Sequence, residues 1–300
     1  MEPLAAIAAT TIPVALLYSW RRKSPLSLTL AAAIIITFAI GYIDRLISPT
    51  FGEQFLLDLA VYRFNLPGTS LHSAPWTYIT MMFLHFDLTH LAFNMLFLIF
   101  LGPMLEERIG PLRWGLLFFV GGVFATIAFE LIRFQLPAYL LLGASGGLSA
   151  IFGAFGRLHP WVRIRLFFPF PLPPTPVLYY VIGFVVLEFF LALVFRGSGI
   201  AWEAHVAGLV FGFATAPIVM RIPDRKRVLA VRDFSGLRPL VMGRDLEEIY
   251  DHLSRESLRE AQEAWLEKFA RRAKCPQCGL PLKWSRGSLR SDCGWKLKVG

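Results

Sequence analysis

The sequence predicts an all-α polytopic membrane protein with a small appended tail. Of its 300 residues, 55% are hydrophobic, 27 are Phe, and the mean hydropathy is +0.55. A chain of this composition is too apolar for a soluble protein, whose surface has to be wetted by water. Several of its uncharged runs are long enough to cross a bilayer. A membrane β-barrel would instead show short segments of alternating hydrophobicity, and none is visible in the sequence.

The chain begins with an apolar segment, residues 4–20, which is short for a span and contains Pro13. Three basic residues, 21–23, follow this segment. A cleaved signal peptide carries its positive charges first, so the order of charge and apolarity argues against one. We therefore predict an extra transmembrane or interfacial helix within residues 1–25.

Residues 26–222 contain the runs that predict a six-helix bundle. The first span is 26–43, and a long connection with three prolines, 44–76, follows it. A connection of this length in a compact bundle is usually functional or partly inserted structure. Five more apolar runs then predict spans, at residues 88–105, 114–132, 136–155, 177–195 and 200–220.

Basic residues orient these spans. If residues 21–23 face the cytoplasm, twelve Lys and Arg lie on that side and four on the other, which agrees with the positive-inside rule. The tail is then cytoplasmic, and residues 221–300 hold +7 of the formal net charge of +9. Such a surplus is typical of a segment near anionic lipid headgroups. No motif supports a nucleic-acid partner.

Three polar side chains fall at one depth of this topology. His90 and His205 each lie near the outer end of a span, Ser145 lies close to the start of the helical part of its own run, and Asn94 follows His90 on the same helix face. The small residues 143–147 around the serine either let helices pack closely or leave room for a peptide carbonyl beside a nucleophile. Intramembrane ionisable and amide groups tend to mark a site, so their coincidence favours the nucleophile.

Nucleophilic acyl transfer is the chemistry that fits these groups. A serine hydroxyl needs a base, and neutral His205 can take the proton of Ser145. Glu203 is only two residues from His205 and points to another helix face, which favours a Ser–His dyad over a triad. Asn94, His90 and the Ser145 N–H are the candidate donors to a tetrahedral oxyanion.

Four motifs resemble those of the rhomboid intramembrane serine proteases, in the same order along the chain. Gly143-Ala144-Ser145-Gly146 is similar to their G-x-S-G motif, and His90-Leu91-Ala92-Phe93-Asn94 is similar to their H-x-x-x-N helix. Residues 204–212 match the A-H-x-x-G-x-x-x-G pattern of their final helix, and residues 106–108 match E-x-R. The resemblance covers about residues 26–220.

The resemblance implies a serine endopeptidase that needs no cofactor for catalysis. Ser145 would be the nucleophile and His205 the general base. His90 and Asn94, together with the Ser145 backbone N–H, would line the oxyanion hole. Close helix packing would rely on four glycines of these motifs, Gly143, Gly146, Gly208 and Gly212.

The same resemblance implies how substrates reach the site. Residues 44–76 would form a large outer loop lying partly in the membrane. Residues 177–195 and the following loop, 196–201, would form a mobile gate. The partners would be membrane-anchored protein substrates, cleaved near the outer face of a cell membrane, with the lipid bilayer around the enzyme.

Three residues depart from the pattern. Thr77 follows Trp76 where many relatives have arginine, and Ser149 occupies a position that is often aromatic in bacterial members. Glu188 lies in the middle of a span with no motif to explain it, so it either lines an internal cavity or pairs with a polar neighbour. The first two departures keep open a non-catalytic relative that binds membrane helices for quality control or trafficking. Glu188 is the one feature that favours a transporter.

The tail begins with a linker and an amphipathic helix within residues 223–274. Apolar residues recur at three- and four-residue steps across residues 245–274, with charges between them, which predicts one helix. We expect this helix to dock on its own domain or on a partner.

The last module, residues 275–300, resembles a zinc ribbon. Cys275, Cys278 and Cys293 are spaced as zinc ligands, but the position expected for a fourth thiolate holds Arg290. Two hypotheses follow from this pattern. Either the module binds a structural zinc ion with a borrowed fourth ligand or water, or it is a metal-free ribbon that keeps its β-hairpin.

Overall fold

The structure is a computed structural model, and it describes residues 1–47, 49–66, 69–165, 173–194, 201–224, 233–255, 259–285 and 287–299. The chain divides into two compact units, Met1–Lys226 and Arg227–Gly300. Among the described residues, the first unit carries every helix long and apolar enough to cross a membrane. The second unit carries the three cysteines.

The N-terminal part of the membrane unit consists of two long helices, α1 (Pro3–Arg22) and α2 (Leu26–Ile47). The Glu2 carboxylate accepts a hydrogen bond from the Ala5 N–H at 2.9 Å and so caps α1. Both helices are long and apolar enough to cross a membrane. The extra helix predicted before the bundle is therefore present as α1.

The connection after α2 is an ordered structure. It contains α3 (Pro49–Leu59), β1 (Val61–Leu66), β2 (Thr69–His72) and α4 (Thr77–Thr80). β1 is the middle strand of a three-stranded antiparallel sheet, with β2 on one side and β3 (Ala138–Leu141) on the other. The Trp76 indole N–H donates a hydrogen bond to the Asp58 carbonyl at 3.0 Å, which ties the end of the connection to α3.

Five further helices complete the bundle: α5 (Leu88–Ile109), α6 (Pro111–Ile132), α7 (Ser145–Leu158), α8 (Val177–Val194) and α9 (Trp202–Val219). All of them except α7 have the length and apolarity of a membrane span. Two short strands, β4 (Arg163–Ile164) and β5 (Thr175–Pro176), pair between α7 and α8. The predicted all-α polytopic bundle is confirmed.

The apolar run over residues 136–155 does not cross the membrane as one helix, and Ser145 lies at the start of its helical part, as expected. Residues 138–141 form β3, which pairs with β1 so that Leu141 lies opposite Val61, and α7 begins only at Ser145. Gly143 lies between them with a φ of +127°, a conformation that does not occur within an α-helix. The chain therefore turns just before Ser145, and α7 has 14 residues.

α7 is the most deeply buried helix of the membrane unit. Eleven of its residues are buried, from Gly146 to Gly156, and it packs against both α6 and α9. Large apolar side chains, including Trp114, Phe118 and Phe155, fill the surrounding core. A helix so short can serve in a membrane protein because its neighbours enclose it, so that lipid does not have to match its length.

The E-x-R motif at the end of α5 has a structural role. The Glu106 carboxylate accepts hydrogen bonds from the backbone N–H groups of Leu26 and Ser27, at 2.7 and 2.8 Å, and from the Ser27 hydroxyl at 2.7 Å. These groups lie at the start of α2. The first N–H groups of a helix have no carbonyl acceptor in a preceding turn, and the helix dipole there favours a negative charge. Arg108 lies over the Phe155 ring at 5.8 Å, so the motif ties α5 to α2 and α7.

The tail unit contains two helices and a three-stranded sheet: α10 (Arg244–Arg255), α11 (Arg259–Arg272), β6 (Lys283–Ser285), β7 (Ser288–Arg290) and β8 (Lys296–Lys298). The sheet is antiparallel in the order β6-β7-β8, and its core includes Leu253, Phe269 and Leu289. The single helix predicted over residues 245–274 is instead two helices, and residues 256–258 between them lie outside the described residues. The expected hairpin is part of a sheet with a third strand.

Candidate active site

Ser145 is the first residue of α7 and lies at the turn that follows β3. The Gly143 N–H donates a hydrogen bond to the Met81 carbonyl at 2.9 Å, which fixes this turn. The first N–H groups of a helix have no carbonyl one turn earlier, and the positive end of the helix dipole lies there. The backbone N–H of Ser145 is therefore suited to stabilise negative charge beside the hydroxyl.

Gly143 fills the gap between Ser145 and His90. A Cβ added at Gly143 would lie 2.9 Å from His90 Nε2 and 3.6 Å from the Ser145 hydroxyl oxygen. Together with the positive φ, this contact leaves no room for a side chain. The sequence predicted a helix-packing role for Gly143, but the residue lies outside α7, where its conformation and small size bring the two side chains together.

His205 lies on α9 with its ring beside the serine. Its Nε2 is 2.8 Å from the Ser145 hydroxyl oxygen, within hydrogen-bond distance. Both side chains are half-buried. A neutral imidazole with its Nε2 lone pair directed at a serine hydroxyl is the arrangement required of a general base.

Glycines bring α7 and α9 close enough for this contact. A Cβ at Gly208 would overlap the Gly146 carbonyl oxygen, and a Cβ at Gly212 would overlap the Ala150 carbonyl oxygen. A Cβ at Gly146 would lie 2.9 Å from the Ala125 side chain on α6. Three of the four predicted packing glycines thus lie where helix backbones approach one another, as small residues do in membrane bundles.

Glu188 completes a chain of three polar side chains. Its Oε1 lies 3.1 Å from Nδ1 of His205, on the other side of the ring from Ser145. The residue is 4% exposed, and its second oxygen has no hydrogen-bond partner within the described part of the chain. Of the two expectations for Glu188, a cavity lining or a polar partner, the structure shows the polar partner, and that partner is His205. The buried residues of α8, Val177, Val181 and Glu188, recur on one helix face, but the equally apolar residues around them gave no signal of that face in the sequence.

The candidate oxyanion donors lie on α5. His90 is held at the start of this helix, where the Asp87 carboxylate accepts a hydrogen bond from the His90 N–H at 2.8 Å. Asn94 is buried one turn later, and its amide donates to the His90 carbonyl at 2.9 Å. The Asn94 carbonyl oxygen has no partner among the described residues. The structure thus places His90 beside Gly143, two residues before Ser145, and Asn94 one helical turn further along α5.

Thr77 and Ser149, the first two departures from the motif pattern, have separate structural surroundings. Thr77 is fully buried, and its hydroxyl donates to the Ala74 carbonyl at 2.6 Å. Ser149 is buried where α7 meets Gly208 of α9. The aromatic ring beside His205 is that of Phe184 on α8, with centroids 6.4 Å apart. The orientation of His205 is therefore set by contacts with α8 as well as α7.

Two other carboxylates, the buried Glu203 and the half-buried Glu130, have partners away from the serine. Glu203 forms an ion pair with Arg133, which agrees with the prediction that it faces away from His205. Glu130 accepts hydrogen bonds from the hydroxyls of Tyr78 on α4 and Tyr139 on β3, and so joins α6 to both elements. Of the predicted gate, α8 and Ala201 are described, whereas residues 195–200 lie outside the described residues.

The three cysteines of the tail unit converge on one point. Their sulfur atoms all lie within 4.8 Å of one another, and the Sγ atoms of Cys275 and Cys293 are 3.6 Å apart. The Ser291 hydroxyl lies 3.2 Å from Cys278 Sγ. Desolvation would raise the pKa of the Cys275 thiol, but hydrogen bonds from Ser291 and from the backbone N–H groups of Cys278 and Gln277 lower it to about 6. A thiolate at this position is suited to a metal ion.

Comparison with known proteins gives one family. A family model described as the rhomboid domain matches residues 72–222, which is half of the chain. The match contains Ser145, His205, Glu188, His90 and Asn94.

Curated proteins similar to the chain carry related names. The Rhomboid protease GlpG of Serratia proteamaculans is 30% identical over 199 residues, 65% of this chain and 63% of that protein. The protein of the same name in Klebsiella pneumoniae is 28% identical over 200 residues, 65% of this chain and 64% of that protein. The Rhomboid-type serine protease 2 of Emericella nidulans is 29% identical over 175 residues, 54% of this chain and 31% of that protein. The chain thus spans less than two thirds of the length of these relatives.

Proposed function

Because the chain belongs to the rhomboid family, we propose that it is an intramembrane serine endopeptidase with Ser145 as nucleophile and His205 as general base. The observation that carries the proposal is the 2.8 Å contact between the Ser145 hydroxyl and His205 Nε2. The two residues come from different helices and meet at the N-terminus of α7, where the backbone N–H groups have no intrahelical acceptor.

The reaction proceeds in two halves. Neutral His205 accepts the Ser145 proton as the hydroxyl oxygen attacks the substrate carbonyl. The Ser145 N–H, with donors from His90 and Asn94, stabilises the tetrahedral oxyanion. His205 then gives its proton to the departing amine, leaving an acyl-enzyme. In the second half, His205 accepts a proton from water as the water oxygen attacks the ester. It then returns that proton to the Ser145 oxygen as the C–O bond to Ser145 breaks, which releases the carboxylic acid product and restores the Ser145 hydroxyl.

Membrane-anchored proteins are the proposed substrates. An intact helix hides its carbonyls in hydrogen bonds, so the scissile segment has to leave the helical conformation before Ser145 can attack. Residues that weaken a helix, above all Gly and Pro, reduce that cost. The narrow space between Gly143 and His90 favours a small residue before the cleaved bond.

The positive-inside assignment gives the proposed orientation. The basic ends of the spans and the +7 tail lie in the cytoplasm, and Ser145 opens toward the outer side of the membrane. Cleavage then occurs near the outer ends of the substrate helix.

Substrate cleavage in liposomes tests the proposal. The purified protein should cleave a single-pass substrate with Gly and Pro near the outer end of its helix, and Ser145→Ala should not. A matched substrate with Leu at those positions should be cleaved about 10-fold more slowly, because its helix is harder to open. The Serratia relative, assayed on the same substrate, is the positive control. If that relative cleaves the substrate and the wild-type protein cleaves it no faster than Ser145→Ala does, the proposal is contradicted.

Two other functions find less support in the site. A relative that only binds membrane helices does not need a serine hydroxyl within hydrogen-bond distance of an imidazole nitrogen. A transporter was suggested by Glu188 alone, and that carboxylate is paired with His205.

For the tail we propose a structural zinc ion bound by Cys275, Cys278 and Cys293. Three thiolates around tetrahedral zinc, at about 2.3 Å from the metal, lie roughly 3.8 Å from one another. The 3.6 Å separation of the Cys275 and Cys293 sulfurs is close to that geometry. Water or Ser291, which lies against Cys278, supplies the fourth position.

Metal analysis of the full-length protein tests this proposal. Wild-type protein should contain about one zinc ion per chain, and Cys275→Ser should lose most of it because two thiolates bind zinc poorly. Asp292→Asn is the matched control, since Asp292 neighbours Cys293 but pairs with Lys283 at 2.8 Å. Wild-type protein that is free of metal when purified with zinc in the buffer supports the metal-free ribbon instead.

A further inference from the structure

The carboxylate of Glu188 has one partner within the described part of the chain, and that partner is the proposed general base. Glu188 Oε1 lies 3.1 Å from His205 Nδ1, and His205 Nε2 lies 2.8 Å from the Ser145 hydroxyl. The three groups therefore form a line that runs from α8 through α9 to the start of α7. The second carboxylate oxygen of Glu188 is buried without a partner among the described residues.

The position of Glu188 on α8 makes this contact specific. Val177 and Val181 are the other buried residues of that helix, and the exposed side chains around Glu188 are apolar. The helix thus presents an apolar surface to lipid and directs its one carboxylate toward the interior of the bundle. A carboxylate at membrane depth is costly and persists where it has a partner or a function. Leucine would pack at this position at lower cost, so stability alone does not explain the residue.

We propose that Glu188 is a positioning residue that makes the catalytic unit a Ser145–His205–Glu188 triad. The Glu188 carboxylate accepts the Nδ1–H of His205, which leaves the Nε2 lone pair free to take the Ser145 proton. The same carboxylate stabilises the imidazolium that forms when that proton moves, as an acidic residue does in soluble serine proteases. This inference rests on the proposed function, because it assigns Glu188 a role in the same reaction.

The contact also restricts how the base turns. His205 touches Ser145 through one ring nitrogen and Glu188 through the other, so rotation of the ring breaks both contacts. Phe184, one turn before Glu188 on α8, lies beside the ring with centroids 6.4 Å apart. Two residues of α8 thus hold His205 in the orientation that reaches the nucleophile. Removing the carboxylate should slow the chemical step more than it weakens substrate binding.

Steady-state kinetics on three variants of α8 test the inference. Glu188→Gln keeps the shape of the side chain and removes the charge, and Glu188→Leu removes the polar group altogether. Both should lower kcat by about 10²-fold or more and change KM by less than about 3-fold. Leu187→Ala, a change at the neighbouring exposed residue, should leave kcat within about 2-fold of wild type. The rate of fluorophosphonate labelling of Ser145 should fall in parallel with kcat.

Thermal unfolding in detergent separates positioning from folding. Glu188→Leu should unfold at the wild-type temperature or above it, since it replaces a buried carboxylate with an apolar side chain. A stable Leu variant with wild-type kcat overturns the inference and leaves the protease proposal in place. A Glu188 variant whose KM rises while its kcat stays at the wild-type value also overturns the inference and leaves the protease proposal in place. Wild-type protein that neither cleaves nor labels overturns the proposed function and the triad together.

Discussion

Ser145→Ala should lower the rate of substrate cleavage by about 10⁴-fold or more, to the level of the uncatalysed background. The hydroxyl oxygen forms the covalent bond of the acyl-enzyme, so no neighbouring group can replace it. His205→Ala should have a similar effect, because the serine then lacks the group that accepts its proton at 2.8 Å. The measurement is the initial rate of cleavage in liposomes at equal amounts of folded protein.

The matched control is a second serine of the same helix. Ser149 is buried one turn after Ser145 and contacts the region of Gly208 rather than His205 Nε2. Ser149→Ala should therefore retain activity within about 3-fold of wild type, because it touches none of the reacting atoms. An inactive Ser149→Ala variant, together with a Ser145→Ala variant that still cleaves, would reverse the assignment of the nucleophile.

Gly212→Ala should destabilise the membrane unit by about 3 kcal/mol or more, a loss typical of overpacking against atoms that cannot move. The added Cβ would overlap the Ala150 carbonyl oxygen, which belongs to the backbone of α7. The clash is relieved by separating α7 from α9, which also withdraws His205 from Ser145. Thermal unfolding and cleavage rate, measured on one preparation, should both fall.

Gly183→Ala on α8 is the control for the chemistry of this substitution. A Cβ at Gly183 meets no atom within 4 Å. Since Ala favours a helix over Gly by about 1 kcal/mol, this variant should be as stable as wild type or slightly more stable. Equal unfolding temperatures for Gly212→Ala and Gly183→Ala would contradict the close packing of α7 and α9.

Much of the site could be predicted because its residues carry chemistry that lipid-facing positions do not need. His90, Asn94, Ser145 and His205 stood out in runs of apolar residues, and the topology placed them at one depth. The structure brings His205 to Ser145 and leaves Gly143 between Ser145 and His90.

Other features could not be predicted because periodicity fails in a membrane helix. In α8 the residues exposed to lipid are as apolar as the buried ones, so no pattern showed which face carries Glu188 inward. The strand at residues 138–141 was hidden for a related reason. Its residues are apolar like those of a membrane span, so composition and periodicity did not separate a strand from a helix. Only its pairing with β1, which lies more than 70 residues earlier in the chain, identifies it as a strand.

The fluorophosphonate adduct of the intact protein tests the central claim most directly. Wild-type protein should gain one phosphonyl group, and peptide mass spectrometry should locate it on Ser145, with no adduct on Ser145→Ala or His205→Ala. An adduct on another serine, or cleavage of a membrane substrate by a protein whose Ser145 does not react, would contradict the claim that Ser145 is the activated nucleophile.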